Sequence, residues 1–156
     1  MNEMDFVITE EPYIFGGTQS VLKKYNGTDA AVSVPAHVKK IDRLAFADNL
    51  YVENVVLPAG LEEIGSCAFT DCKNLRKVNI PEGIRYVGGS AFSNCEKLEG
   101  ITLPDRENVI VERTAFFGCP LLEEYWKKRG LCPLCGYKLK KSLFHKTCNR
   151  CHTRMK

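Results

Sequence analysis

Four prolines recur in this chain at a constant spacing of 23 residues: Pro35, Pro58, Pro81 and Pro104. Four Ala-Phe pairs keep the same spacing, although the last pair comes one residue late: Ala45-Phe46, Ala68-Phe69, Ala91-Phe92 and Ala115-Phe116. A constant period of this length is typical of a solenoid, in which each repeat is one coil that buries its apolar side only by stacking on its neighbours. The sequence therefore predicts four stacked coils that present a continuous surface.

Each repeat contains a short segment in which apolar and polar residues alternate, such as Val78-Asn79-Ile80. Alternation with period two indicates a β-strand with one buried face, and proline ends the strand because it lacks an amide hydrogen. Two apolar residues three positions apart, Ile84 and Val87 in the third repeat, are predicted to point inward from the return path. Because stacking places equivalent residues about 4.8 Å apart, we expect one parallel sheet and one aromatic column, made of Phe46, Phe69, Phe92 and Phe116.

The repeats share the pattern Ile/Leu-Pro-x-x-Ile-x-x-Ile-Gly-x-x-Ala-Phe-x-x-Cys-x-x-Leu, read at residues 57–75 and 80–98. This pattern resembles the BspA-like class of bacterial leucine-rich repeat, and the resemblance covers roughly residues 20–122. It implies a curved, right-handed solenoid with a short parallel β-sheet. Many members of the class resemble exported adhesion or host-protein-binding modules, so a cell-surface adhesin is one function to consider.

Three cysteines, Cys72, Cys95 and Cys119, occupy the cysteine position of this repeat class, whereas the first repeat has Asn49 there. A column of thiols is a candidate for metal binding or redox chemistry. Cysteine also serves as a small buried apolar residue in the corner of a coil, and we favour that interpretation.

A solenoid exposes an unpaired edge at each end unless it is capped. Strand-like segments before residue 25, with turn signals at Gly16-Gly17 and Asn26-Gly27, predict a β cap over residues 1–27. The four repeats are assigned to residues 28–119. Pro120 at the start and Gly130 beyond the end then predict a capping helix over residues 120–130, with a fifth strand as the alternative.

Residues 131–156 contain two Cys-x-x-Cys pairs separated by twelve residues, namely Cys132 with Cys135 and Cys148 with Cys151. Four thiolates on two such turns are the tetrahedral ligand set of a structural zinc site, and the segment resembles a zinc ribbon. A segment this short cannot bury enough apolar surface to fold by itself, and the bound metal would therefore supply its folding free energy. Iron in a rubredoxin-like site is the alternative.

The tail is also strongly basic. From Trp126 to the end there are ten Lys or Arg residues and no Asp or Glu, whereas the rest of the chain has 12 basic and 19 acidic residues. Cations interleaved with aromatic rings are typical of nucleic-acid-binding ribbons. The tail could equally fold back on the acidic body. The candidate nucleic-acid contacts are Lys138, Lys140, Lys141, Lys146 and Arg150.

No motif for catalysis stands out, since the chain has neither a phosphate-binding loop nor a nucleophile elbow. The N-terminus lacks the pattern of a signal peptide, and no apolar run approaches the roughly 20 residues of a membrane-spanning helix. We therefore predict a cytoplasmic, non-catalytic protein-interaction module, with a nucleic-acid-associated adaptor or an adhesin as alternatives. The residues predicted to face a partner from the repeat sheet are Asn54, Val56, Lys77, Asn79, Gly100 and Thr102.

Overall fold

The computed structural model describes residues 3–101, 103–104, 109–128, 130–132, 139–141, 146–148 and 154–155. A short 3-10 helix (Glu3–Asp5) comes first, followed by the strands β1 (Phe6–Pro12), β2 (Thr18–Tyr25), β3 (Ala31–Ser33), β4 (Val38–Ile41), β5 (Asn54–Val56), β6 (Glu63–Ile64), β7 (Lys77–Asn79), β8 (Tyr86–Val87) and β9 (Ile110–Val111). The helix α1 (Pro120–Lys128) follows, and the strands β10 (Leu139–Lys141), β11 (Lys146–Cys148) and β12 (Arg154–Met155) come last.

The N-terminal segment forms an antiparallel hairpin of β1 and β2. Its turn uses Gly16 and Gly17, whose φ angles of 97° and 78° lie in the left-handed region that glycine adopts without strain. The amide of Tyr13 donates to the carbonyl of Gly17 at 3.0 Å and closes the turn. Val21 and Leu22 are buried, and β2 pairs in parallel with β4. The hairpin therefore covers the first coil and continues its sheet.

The coils stack through two parallel sheets rather than the single sheet predicted from the sequence. Sheet A has the order β1-β2-β4-β6-β8-β9, and sheet B has the order β3-β5-β7. Sheet B is formed by the predicted alternating segments, in which Val32, Val55 and Val78 are buried and in register. Sheet A is formed by the return path, where Ile64 pairs with Val87. The predicted parallel sheet is therefore present as sheet B, whereas the additional sheet A was not predicted, because β6 and β8 have two residues each, too few for alternation to be recognised.

The coils turn their corners with residues in the left-handed backbone conformation. These residues recur at the repeat spacing, as Leu44, Cys67 and Ser90 at one corner and as Asp48, Asp71 and Asn94 at the next. In the fourth coil, Gly118 takes the second corner position with a φ of 73°. This conformation costs a non-glycine residue about 1–2 kcal/mol. Hydrogen bonds between coils hold it in place, including one from the Phe69 amide to the Ala91 carbonyl at 2.7 Å.

The predicted aromatic column is confirmed. The ring centroids of Phe46 and Phe69 lie 4.6 Å apart, those of Phe69 and Phe92 5.0 Å, and those of Phe92 and Phe116 5.3 Å. The column extends beyond the repeats, because Phe6 and Tyr25 of the hairpin continue it at one end and Trp126 of α1 closes it at the other. The hairpin and α1, which flank the repeats, are thereby packed into the same core as the coils.

The helix expected after the last repeat is present as α1. Leu122 and Trp126 are buried against the last coil, and the opposite side carries the ion pair Lys127–Glu123 at 2.6 Å. Gly130 follows with a φ of 68°, which is the usual way for a helix to end. Among the residues that the structure describes, no helix is long and apolar enough to cross a membrane.

Candidate functional site

Four of the six predicted partner-binding residues lie on strands β5 and β7 of sheet B. Val56 is 55% exposed on β5, Lys77 is exposed on β7, and Asn54 is half-buried. Asn79 has a structural role, because its side chain accepts a hydrogen bond from the Leu57 amide at 2.7 Å and donates to the Leu57 carbonyl at 3.1 Å. Gly100 is exposed, and Thr102 lies outside the described residues. Sheet B therefore brings four of the six residues together on its outer face: Asn54, Val56, Lys77 and Asn79.

A second surface, which sequence reasoning missed, lies where the parallel strands of sheet A begin. A groove of about 700 Å³ crosses β4, β6, β8 and β9 there, and we call it the sheet A groove. It is lined by Lys39, Gly60, Glu62, Gly83, Ile84, Arg85, Tyr86 and Ile110. Lys39, Glu62 and Arg85 recur at the 23-residue spacing. This spacing of charged residues is a sequence signal of the surface, although the sign of the charge differs from coil to coil.

The tip of the N-terminal hairpin, residues 13–17, folds over one side of the sheet A groove. The hydroxyl of Tyr13 donates a 2.6 Å hydrogen bond to the Glu62 carboxylate, and this bond raises the pKa of Tyr13. The Arg85 guanidinium lies 5.7 Å from the centroid of the Phe15 ring and 3.6 Å from the Glu62 carboxylate. The tip thus contacts the second and third coils, while Ile14 remains 87% exposed.

The three repeat cysteines are buried in the core. The thiols of Cys72, Cys95 and Cys119 donate to backbone carbonyls of the preceding coil at 3.0, 3.1 and 2.9 Å. Burial raises the pKa of Cys72 to about 12, and hydrogen bonding to Cys119 together with burial raises that of Cys95. A protonated thiol is a poor metal ligand and nucleophile. Asn49 fills the same position in the first coil by donating to the Gly27 carbonyl at 3.0 Å, so the position requires a donor.

In the tail, the described residues include the first cysteine of each Cys-x-x-Cys pair. Cys132 and Cys148 are fully buried and belong to the same apolar cluster as Trp126. The register of β10 with β11 places Leu139 opposite Cys148, and β12 completes an antiparallel three-stranded sheet. Cys135 and Cys151 lie outside the described residues. The zinc site stays a prediction, since no group of three metal-binding side chains occurs in the part of the tail that is described.

The candidate nucleic-acid contacts also lie in this sheet. Lys140 and Lys141 are on β10 and Lys146 is on β11, while Lys138 and Arg150 fall outside the described residues. The register places Lys141 opposite Lys146. Two adjacent strands therefore carry basic residues, and nucleic-acid binding also stays a prediction.

Comparison with protein families supports the assignment of the repeats. The profile of the BspA type leucine rich repeat region (6 copies) matches residues 25–131. The chain therefore belongs to the BspA-type leucine-rich repeat family. A comparison with curated protein sequences finds no match.

Solved structures of leucine-rich repeat proteins match the fold. A leucine rich cell surface protein from Faecalibacterium prausnitzii is 26% identical with a TM-score of 0.63, over 75% of this chain and 32% of its own. A leucine-rich repeat protein from Bacteroides ovatus is 28% identical with a TM-score of 0.58, over 74% of this chain and 33% of its own. The T. pallidum leucine rich repeat protein is 25% identical with a TM-score of 0.63, over 71% of this chain and 52% of its own. The chain thus spans between a third and a half of these proteins.

Proposed function

We propose that the chain is a non-catalytic protein-interaction module whose repeats present sheet B to a protein or peptide partner. The observation that carries the proposal is the exposed face of β5 and β7. Val56 is 55% exposed on a strand fixed on both sides by parallel pairing, so an apolar contact is offered in a defined geometry. Leucine-rich repeat solenoids use such extended, regular surfaces for binding. A cytoplasmic location accompanies the proposal, because the buried thiols of the repeats suit a reducing compartment.

The experiment compares Val56→Glu with Leu50→Glu in affinity purification from the lysate of the source organism. The two side chains are matched in exposure, at 55% and 54%, but Leu50 lies in a loop rather than on sheet B. Quantitative mass spectrometry should identify a protein that the wild type and Leu50→Glu retain and that Val56→Glu loses. If both variants retain the partner protein equally, sheet B is not the binding face.

For the tail we propose a structural zinc site held by Cys132, Cys135, Cys148 and Cys151. The burial of Cys132 and Cys148 supports it, because two buried thiols beside a small three-stranded sheet suit a metal-centred core. The metal would supply folding energy and no chemistry on a substrate, since four thiolates leave no open coordination position.

Elemental analysis of freshly purified protein should find about one zinc per chain, as one such site requires. Cys135→Ser should abolish zinc binding, whereas Cys67→Ser, a change to a half-buried cysteine in the second coil, should not. Visible absorbance with iron in place of zinc would support the rubredoxin-like alternative. Metal-free protein with an unchanged melting temperature after chelation would end the proposal.

A second candidate function is nucleic-acid binding by the tail. It is favoured by the register of β10 with β11, in which Lys141 stands opposite Lys146. Lysine cations are what neutralise the phosphates of a nucleic-acid backbone. Affinity for single-stranded DNA or RNA should fall steeply as salt rises from low to physiological concentration. If the protein does not bind single-stranded DNA or RNA even at low salt, this candidate function is excluded.

A third candidate is an adhesin-type role, which is favoured by the description of the Faecalibacterium prausnitzii protein as a cell surface protein. Protease treatment of intact cells tests it directly. An exported chain would be degraded along with known surface proteins, whereas a cytoplasmic chain would survive until the cells are lysed.

A further inference from the structure

The sheet A groove contains one cation without an anionic partner. The ammonium group of Lys39 lies over Gly60, so close that a Cβ atom added to Gly60 would come within 2.8 Å of it. In the part of the chain that the structure describes, no carboxylate forms an ion pair with Lys39, whereas the neighbouring Lys40 is paired with Glu63 at 3.0 Å. The half-buried ammonium group therefore covers Gly60 and offers a partner a positive charge.

The other two charges of the groove are already compensated. Glu62 accepts the hydrogen bond from Tyr13 and lies 3.6 Å from the Arg85 guanidinium, which also packs on the Phe15 ring. The hairpin tip thereby leaves Lys39 as the unmatched charge among the described residues of the groove. Charge complementarity then favours an acidic group in the partner.

The opposite end of the groove is apolar. Ile110 is 59% exposed on β9, and the register places it beside Tyr86 on β8. The floor between the two ends includes Gly60, which lies under the Lys39 ammonium, and Gly83. An added Cβ at Gly83 would approach the Ala59 carbonyl to 2.9 Å, so the floor is already close-packed below.

We propose that the sheet A groove binds an extended segment of a partner protein that places an acidic side chain at Lys39 and an apolar side chain at Ile110. The groove crosses from β4 to β9, which are three strand spacings apart, or about 14 Å. An extended chain advances about 3.4 Å per residue. The acidic and apolar residues of the partner are therefore about four positions apart. This inference rests on the proposed interaction function and names the class of ligand for a second face.

The test selects peptides from a phage-displayed random library on the full-length protein and measures binding of the enriched peptides by fluorescence anisotropy. Enriched sequences should carry Asp or Glu about four residues from a Leu, Ile, Phe or Tyr. Lys39→Glu should weaken their binding at least about tenfold, because attraction is replaced by repulsion. Lys39→Gln should give a smaller loss, and Ile110→Ser should weaken binding by the loss of apolar contact.

Lys97→Glu is the matched control, because it reverses the charge of an exposed lysine that lies in a turn outside both sheets. A peptide in which the acidic residue is replaced by Lys should bind Lys39→Glu better than it binds the wild type. Melting temperatures of all variants must stay close to that of the wild type, and Lys39→Gln keeps the test valid if Lys39→Glu does not fold.

Peptides that lose binding only with Lys77→Glu or Val56→Glu would overturn the groove proposal while supporting the sheet B face. Peptides indifferent to every one of these variants, or a selection that enriches nothing, would overturn the groove as a peptide site. Loss of peptide binding only in the Lys39 and Ile110 variants would support the groove proposal, whether or not sheet B binds a partner.

Discussion

Replacing Phe69 by alanine should remove the centre of the aromatic column. Phe69 is fully buried and is stacked between Phe46 at 4.6 Å and Phe92 at 5.0 Å. Truncating a buried phenylalanine costs about 3–5 kcal/mol. The lost stacking on two sides places this site in the upper part of that range, since each aromatic pair adds about 0.5–1.5 kcal/mol. Domains of this size are stable by about 5–15 kcal/mol, so the variant should lose a large share of its stability.

The position in the middle of the stack adds a second expectation. Each coil of a solenoid contacts only its neighbours, so a weakened central interface uncouples the two halves. The single tryptophan of the chain, Trp126, packs 5.1 Å from Phe116 at the C-terminal end. Its fluorescence therefore reports on that end, whereas far-ultraviolet circular dichroism reports on all coils. The two probes should coincide in the wild type and separate in Phe69→Ala.

Urea denaturation followed by both probes is the assay, with Phe117→Ala as the control. Phe117 is 66% exposed, and its truncation should change the unfolding free energy by less than about 0.5 kcal/mol. A loss below about 1 kcal/mol in Phe69→Ala, or an equal loss in Phe117→Ala, would refute the reasoning that the column holds the coils together.

Three further changes test other parts of the fold. Leu44→Asn should stabilise the protein by about 0.5–1 kcal/mol, because asparagine tolerates the φ of 60° at this exposed corner better than leucine. Thermal melting measures the gain, and the control Leu50→Asn should show none. Gly88→Ala should destabilise the protein by about 1–3 kcal/mol, because the added Cβ would lie 2.6 Å from a backbone nitrogen of the preceding coil. An unchanged melting temperature would contradict this prediction. Below pH 9, Cys72 of the native protein should not react with thiol reagents, because the pKa of the Cys72 thiol is raised to about 12. The half-buried Cys67 should react. If mass spectrometry finds Cys72 modified as fast as Cys67, Cys72 is not buried as described.

The repeats and their core could be predicted because one physical requirement recurs in every coil. Phe46 and its equivalents must fill the same space, so their spacing is visible in the sequence. The second sheet was not visible, because Glu63–Ile64 and Tyr86–Val87 are too short to show alternation. Sequence spacing thus reveals what a coil buries more readily than how its backbone is paired.

The sheet A groove was missed for a different reason. The contact of Tyr13 with Glu62 joins residues 49 positions apart, and no local pattern specifies such a pair. The charged residues of the groove differ in sign from coil to coil, so they do not form a repeated motif although they share one position in the period. For the tail, the cysteine spacing predicts a zinc site, which stays a prediction; Cys132 and Cys148 are the two candidate ligands that the structure describes, and both are buried.

The angles between successive rings of the aromatic column determine where the stack can grow. The interplanar angles fall from 41° and 30° at the hairpin to 15°, 3° and 4° between the coils, and then rise to 89° at Trp126. Parallel rings accept another ring of the same kind, whereas an edge-on indole leaves no parallel face for a further coil to cover. Trp126 therefore ends the stack of parallel rings. By the same geometry, the nearly parallel interface between Phe69 and Phe92, at 3°, is where an additional repeat of 23 residues would fit with the least change in ring orientation.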